Sequence, residues 1–139
     1  MKIAIVYDSR TGNTEAAARA LAARYRERGD EVALLRVDEA DPAAVAAADL
    51  VCVGSWTQGL FVVLQHATAA TMRFIDRLPP LAGKEALVFC SYALSPGRTL
   101  ARMAGRLEHK GARVAHRVAF RGRAPAAGWD AFAAAVGGR

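Results

Sequence analysis

The sequence has few cysteines and no long apolar run, and each shortage excludes a class of protein. Its two cysteines, Cys52 and Cys90, lie inside apolar stretches and provide neither a disulfide framework nor a set of metal ligands. No apolar run approaches the roughly 18 residues of a membrane span. A strand pattern begins at residue 2, so we expect no signal peptide. These absences predict a cytoplasmic protein without a metal or a membrane span.

Acidic side chains are also missing from two long windows, residues 51–74 and 87–106. Residues 1–49 carry a balance of −2 and residues 50–139 a balance of +8, which together give the net charge of +6. A basic half could attract an acidic protein, an acidic membrane or nucleic acid, or it could reflect arginines on solvated faces. No nucleic-acid-binding motif accompanies the charge, so we expect no nucleic-acid partner.

Apolar runs alternate with helical patterns, and this alternation predicts one α/β domain over residues 1–139. We predict strands at residues 2–7, 31–37, 49–54, 85–90 and 112–120. We predict helices at residues 13–28, 42–48, 65–77, 98–110 and 128–136. Such an order favours right-handed crossovers and a doubly wound, five-stranded parallel sheet with helices on both faces. Ligands of these sheets bind at the carboxyl ends of the strands, so the loops after the first, third and fourth strands are the candidate site.

The loop after the first strand has the composition of a phosphate cradle. It contains three hydroxyls, an amide and a glycine immediately before a helix, in the residues Ser9, Arg10, Thr11, Gly12, Asn13 and Thr14. Hydroxyls, backbone N–H groups and the helix dipole all favour an anion at this position. Serine, threonine and asparagine are also the usual helix caps, so the composition alone leaves both interpretations open.

The other two loops each contain an aromatic residue. In the loop Ser55, Trp56, Thr57, Gln58 and Gly59, the tryptophan could stack on a planar ring, or it could pack against a neighbouring helix. In the loop from residue 91 to 97, Tyr92 could flank the same ring or simply stabilise the loop. We take Ser91, Tyr92, Ala93 and Gly97 as the binding candidates of this third loop.

Together the three loops resemble those of the flavodoxin family. The segment from Ile5 to Thr14, followed by Ala17 and Leu21, is similar to that family's N-terminal signature, and the uninterrupted fifth strand resembles its short-chain branch. The resemblance implies a sheet of order 2-1-3-4-5 and non-covalent binding of FMN. It assigns the phosphate to the first loop. It also implies that Trp56 packs on one face of the flavin, that Tyr92 flanks the other, and that Ser55 and Thr57–Gly59 line its edge.

The predicted function is therefore electron transfer between redox partners by bound FMN, with no catalytic side chain. Two alternatives stay open: an FMN-dependent oxidoreductase of quinone-type acceptors, and a binding or regulatory module that has lost the flavin. Other folds of this class fit less well. Gly54-Ser55 stands where a phospho-acceptor receiver needs an aspartate, and only Gly12 represents the G-x-G-x-x-G of a dinucleotide-binding domain.

Two further patterns indicate partner surfaces. Basic residues recur every fourth position along the predicted fourth helix, at Arg98, Arg102, Arg106 and Lys110. This stripe is either a solvated face or a docking site for an acidic redox partner. The apolar run Leu60–Leu64 follows the second loop, where polar residues would be expected. It is either buried at the start of the third helix or exposed for a dimer contact, a partner or a quinone-like substrate.

Overall fold

The computed structural model describes residues 1–10, 12–58, 66–92 and 96–121, together with Phe132 and Val136. The strands are β1 (Lys2–Tyr7), β2 (Glu31–Arg36), β3 (Leu50–Gln58), β4 (His66–Ala67), β5 (Glu85–Tyr92) and β6 (Arg113–Arg121). The helices are α1 (Asn13–Glu27), α2 (Pro42–Ala46), α3 (Ala69–Arg77) and α4 (Thr99–His109). Within this part of the chain, no helix is long and apolar enough to cross a membrane.

Five strands form a parallel sheet in the order β2-β1-β3-β5-β6. This order confirms the predicted 2-1-3-4-5 topology once the short β4 is set aside. That strand was not predicted; it pairs antiparallel with the end of β3, through Thr57 with Ala67 and Gln58 with His66. Because β3 lies between β1 and β5, the carboxyl ends of these three strands meet at one edge of the sheet.

Alternate residues of the central strands face opposite sides of the sheet, and each side has its own core. Val6, Val53 and Val88 pack in the cluster that holds residues of α2, α3 and α4. Ile5, Cys52 and Phe89 pack in the cluster that holds the buried face of α1. The sheet is thus covered on both sides, which explains why its central strands read as nearly continuous apolar runs.

Near the candidate site, three predicted boundaries were wrong. The predicted loop from Ser55 continues as strand to Gln58, because β4 pairs with these residues. The first two residues of the predicted loop from Ser91 likewise belong to a strand, because β5 extends to Tyr92. The third helix begins at Ala69 rather than at residue 65, since Thr68 caps it by accepting a hydrogen bond from Thr71 N. In the predicted last helix, Phe132 and Val136 are helical and buried, while Trp129 lies outside the described residues.

Candidate functional site

The first loop leads directly from β1 into α1. Gly12 adopts a left-handed backbone with φ of 91° and directly precedes α1, and its N–H donates to Ser9 Oγ at 3.1 Å. Because glycine has no side chain, it cannot cap the N–H groups of the first helical turn as serine or aspartate would. Those groups, beginning at Asn13, can therefore donate to a ligand. Thr11 lies outside the described residues.

Thr14 connects this loop to β5. Its Oγ1 lies 2.7 Å from Ser91 Oγ, and both side chains are buried. The first and third predicted loops are thus joined by a hydroxyl pair beneath the surface. The Thr14 hydroxyl is engaged in this contact, while its backbone N–H belongs to the first turn of α1.

The second predicted loop is held against the first by the backbone. Asp8 N donates to Gly54 O at 2.9 Å, and Trp56 N donates to Asp8 O at 3.2 Å. The guanidinium carbon of Arg10 lies 5.5 Å from the centroid of the Trp56 ring. The tryptophan is therefore half-buried beside the first loop, and it is attached to that loop through both main chain and side chain.

The two site aromatics lie on neighbouring strands but on opposite sides of the sheet. Trp56 is in register with Ser91, whose hydroxyl reaches Thr14 on the α1 side. Tyr92 is the next residue along β5, so its side chain projects toward the other side. Both rings are half-buried. The two rings therefore stand at the same carboxyl edge, one on each side of the sheet.

A network of hydroxyls and one carboxylate, which the sequence did not predict, supports the end of β3. Thr68 Oγ1 donates to Asp8 Oδ2 at 2.5 Å and lies 2.8 Å from Thr71 Oγ1. Thr68 N donates to Ser55 Oγ at 3.2 Å, and Ser55 Oγ donates to Trp56 O at 2.8 Å. The helix-cap spacing of Thr68 and Thr71 was the available sequence signal. The network fixes the backbone on either side of Trp56.

Thr57 faces α4 and contacts two further polar groups. Its Oγ1 lies 3.0 Å from Thr99 Oγ1. Burial raises the pKa of the Cys90 thiol to about 12, and a hydrogen bond with Thr57 opposes part of that rise. The buried Cys90 thiol is therefore neutral at neutral pH. Gly97, the last of the predicted site residues, has φ of 52° in the turn before α4.

The structure therefore brings most of the predicted site residues to one edge of the sheet. The described members are Ser9, Arg10, Gly12, Asn13, Thr14, Ser55, Trp56, Thr57, Gln58, Ser91, Tyr92 and Gly97. Thr11, Gly59 and Ala93 lie outside the described residues. The described donors suit a phosphorylated, planar ligand, since a helix N-terminus lies at the same edge of the sheet as two aromatic side chains.

Comparison with known proteins identifies the family. Residues 5–127 match the flavodoxin family model. A curated flavodoxin of Megasphaera elsdenii is 32% identical over 112 residues, which span 81% of this chain and 80% of that protein. The chain belongs to the flavodoxin family.

Solved structures of flavodoxins agree with this assignment. Two-electron reduced Megasphaera elsdenii flavodoxin superposes with a TM-score of 0.82 at 27% identity, over 94% of this chain and 93% of that one. Oxidised Flavodoxin 2 from Bacillus cereus has a TM-score of 0.79 at 26% identity, over 99% of each chain. A short-chain flavodoxin associated with a non-canonical PDU bacterial microcompartment has a TM-score of 0.86 at 19% identity, over 99% and 95%, and shows the fold alone.

Family membership confirms the predicted cofactor and function. Flavodoxins bind FMN and transfer electrons, and this chain is an FMN-binding electron-transfer protein of that family. The donor set at the edge of the sheet fits FMN, because Gly12 leaves the first turn of α1 uncapped and the strand ends offer two aromatic flanks. A redox partner protein follows from this function.

Proposed function

We propose that the Ser9–Thr14 loop holds the FMN phosphate and that the ends of β3 and β5 hold the flavin ring. The support for the phosphate position is the left-handed Gly12 at the start of α1, with its N–H held by Ser9 Oγ. The donors would be backbone N–H groups of the first turn, together with the side chains of Ser9, Thr11 and Asn13. Arg10 adds a positive charge to the same loop.

The ring would lie between Trp56 and Tyr92, with Ser55, Thr57, Gln58, Gly59, Ser91, Ala93 and Gly97 around its edge. The half-burial of both aromatics on neighbouring strands supports this position. Bound FMN supplies the electron chemistry, and no side chain has to act as nucleophile or base. The protein orients the ring, shields its faces from water and fixes the surrounding backbone through the hydrogen bonds that join Asp8, Ser55 and Thr68.

The observation that carries this proposal is the uncapped, glycine-initiated helix at the carboxyl edge of the sheet. Titrating the apoprotein with FMN and with riboflavin tests it, because the two ligands differ by the phosphate. We expect riboflavin to bind at least about 100-fold more weakly than FMN, because without the phosphate it loses several charge-assisted hydrogen bonds. Ser9→Ala should weaken FMN binding and leave riboflavin binding unchanged. Equal affinities for the two flavins would contradict the phosphate position.

We also infer that the redox partner is acidic and docks on the stripe Arg98, Arg102, Arg106 and Lys110. Arg98 and Arg102 are exposed, and among the described residues neither forms an ion pair. The far end of the stripe is partly neutralised: Arg106 forms an ion pair with Asp76, and Lys110 Nζ donates to Asp76 O at 2.7 Å. The free charge therefore concentrates at the N-terminal end of α4, next to the third site loop.

The double variant Arg98→Gln/Arg102→Gln tests this docking face. It should slow electron transfer to an acidic partner and flatten the dependence of the rate on ionic strength, since screening acts on those charges. Arg113→Gln/Arg117→Gln is the matched control, because it removes the same charge from β6, where both arginines are already paired with glutamates. Equal slowing by the two double variants would contradict a specific docking face.

The dimer contact through Leu60–Leu64 and the cytoplasmic location remain predictions. Residues 60–64 lie outside the described residues. Sedimentation of the wild type beside Phe61→Glu tests the dimer: we expect the wild type to dimerise and the variant to be a monomer. Identical sedimentation of both proteins would contradict that contact.

A further inference from the structure

Arg10 and Trp56 form a cation–π pair that joins the first loop to the end of β3. The guanidinium carbon lies 5.5 Å from the centroid of the indole ring, a distance at which the two groups attract. The backbone bond from Trp56 N to Asp8 O anchors the same two segments close by. This backbone hydrogen bond holds the two segments together. The contact between the Arg10 and Trp56 side chains is therefore supported by the main chain.

Arg10 has no salt-bridge partner among the residues that the structure describes. The carboxylate of Asp8 accepts its hydrogen bond from Thr68. The two windows that contain the ring-binding residues, 51–74 and 87–106, hold no acidic residue. Asp8 is thus the nearest acidic residue in sequence, and Arg10 adds a positive charge on the Trp56 side of the site.

We propose that Arg10 is a positioning and electrostatic residue of the flavin site. It holds the plane of the Trp56 ring, and its charge favours FMN in the anionic, fully reduced form over less charged forms. This inference rests on the proposed position of the ring beside Trp56. A planar guanidinium can stack on the indole while it contributes its charge, whereas a lysine ammonium contributes mainly the charge.

The positioning role can be measured in the apoprotein. The chain has two tryptophans, so a Trp129→Phe background leaves Trp56 as the only indole fluorophore. Adding Arg10→Gln should increase acrylamide quenching of Trp56 by about twofold, because the cation that covers one ring face is removed. Arg10→Lys should give an intermediate value. Unchanged quenching in Arg10→Gln would overturn the positioning role.

The electrostatic role can be measured on the FMN-loaded protein by spectroelectrochemical titration. Arg10→Gln should lower the midpoint potential of the second one-electron reduction by about 59 mV, which is a tenfold loss in relative affinity for the more reduced flavin. Arg10→Lys should stay close to the wild type, since it keeps the charge. Arg113→Gln is the matched control, because it removes one arginine from the opposite, amino end of the sheet. Equal shifts in Arg10→Gln and Arg113→Gln would overturn the electrostatic role.

A third measurement distinguishes a failure of the proposed role of Arg10 from a failure of the proposed ring position, on which that role rests. FMN should quench Trp56 emission when it binds to the Trp129→Phe protein. If FMN binds without quenching Trp56, the proposed ring position is wrong, and the cofactor role of Arg10 falls with it. If FMN quenches Trp56 while Arg10→Gln leaves the potential unchanged, the ring position stands and the electrostatic role of Arg10 alone is wrong.

Discussion

Thr14 Oγ1 and Ser91 Oγ lie 2.7 Å apart in the interior, and they join residues 77 positions apart in the chain. The contact links the first turn of α1, which follows the first loop, to the end of β5, where Ser91 directly precedes Tyr92. Because both hydroxyls are buried, this contact fixes the proposed phosphate-binding part of the FMN site relative to the proposed ring-binding part.

We predict that Thr14→Val destabilises the apoprotein by about 1–3 kcal/mol, because it leaves the buried Ser91 hydroxyl without its partner. Ser91→Ala should have a similar cost, and the double variant should cost less than the two single changes together. Urea unfolding of the four proteins measures this cycle. Additive effects would contradict a direct contact between the two hydroxyls.

Close packing leaves no room for a side chain at Gly54, the residue before Ser55 on β3. A Cβ added there would lie 2.2 Å from ring atoms of Phe89, which itself packs edge-to-face against Phe132 with 5.6 Å between ring centroids. We predict that Gly54→Ala costs about 1–3 kcal/mol or more in unfolding free energy, the usual penalty for overpacking. Combining it with Phe89→Leu should recover part of the loss. Gly105→Ala, where the added methyl meets open space, is the matched control.

The Thr68 hydroxyl donates to Asp8 Oδ2 and also contacts Thr71 Oγ1. Its removal should therefore lower the free energy of unfolding. We predict that Thr68→Ala destabilises the protein by about 2 kcal/mol, since a helix cap and a bond to a carboxylate are lost together. Thr68→Ser keeps the hydroxyl and should lose much less. Denaturant unfolding of both variants decides the point, and equal losses would show that the methyl group rather than the hydroxyl matters.

Cys90 makes stability depend on pH in the alkaline range. Its folded pKa of about 12 lies above the ordinary value of 9.0, so the folded state favours the neutral thiol. This contribution is fully present below pH 9, where the thiol is neutral in both states. It is lost as the pH rises from 9 toward 12, because the unfolded chain releases the proton first. Urea unfolding at pH 7 and pH 10.5 measures the free energy of unfolding at each pH. Between the two, this free energy should fall less for Cys90→Ala than for the wild type. Equal losses would contradict the raised pKa.

Much of the fold was predictable because its central strands β1, β3 and β5 are largely apolar on both faces and its helices are amphipathic. The first loop was also predictable, since its hydroxyls, amide and glycine are adjacent in sequence. The extension of β3 through Ser55–Gln58 was not, because these polar residues become strand only by pairing with β4. The network of Asp8, Ser55 and Thr68 was missed for the same reason: its members are up to 60 positions apart, and local pattern carries no sign of such contacts.

The central claim is that the edge of the sheet between the first loop and the ends of β3 and β5 holds one FMN. Flavin analysis of the purified protein, followed by titration of the apoprotein with FMN, tests this claim most directly. We predict a yellow protein with flavin absorption bands that takes up one FMN per chain. A colourless protein whose apo form does not bind added FMN would contradict it.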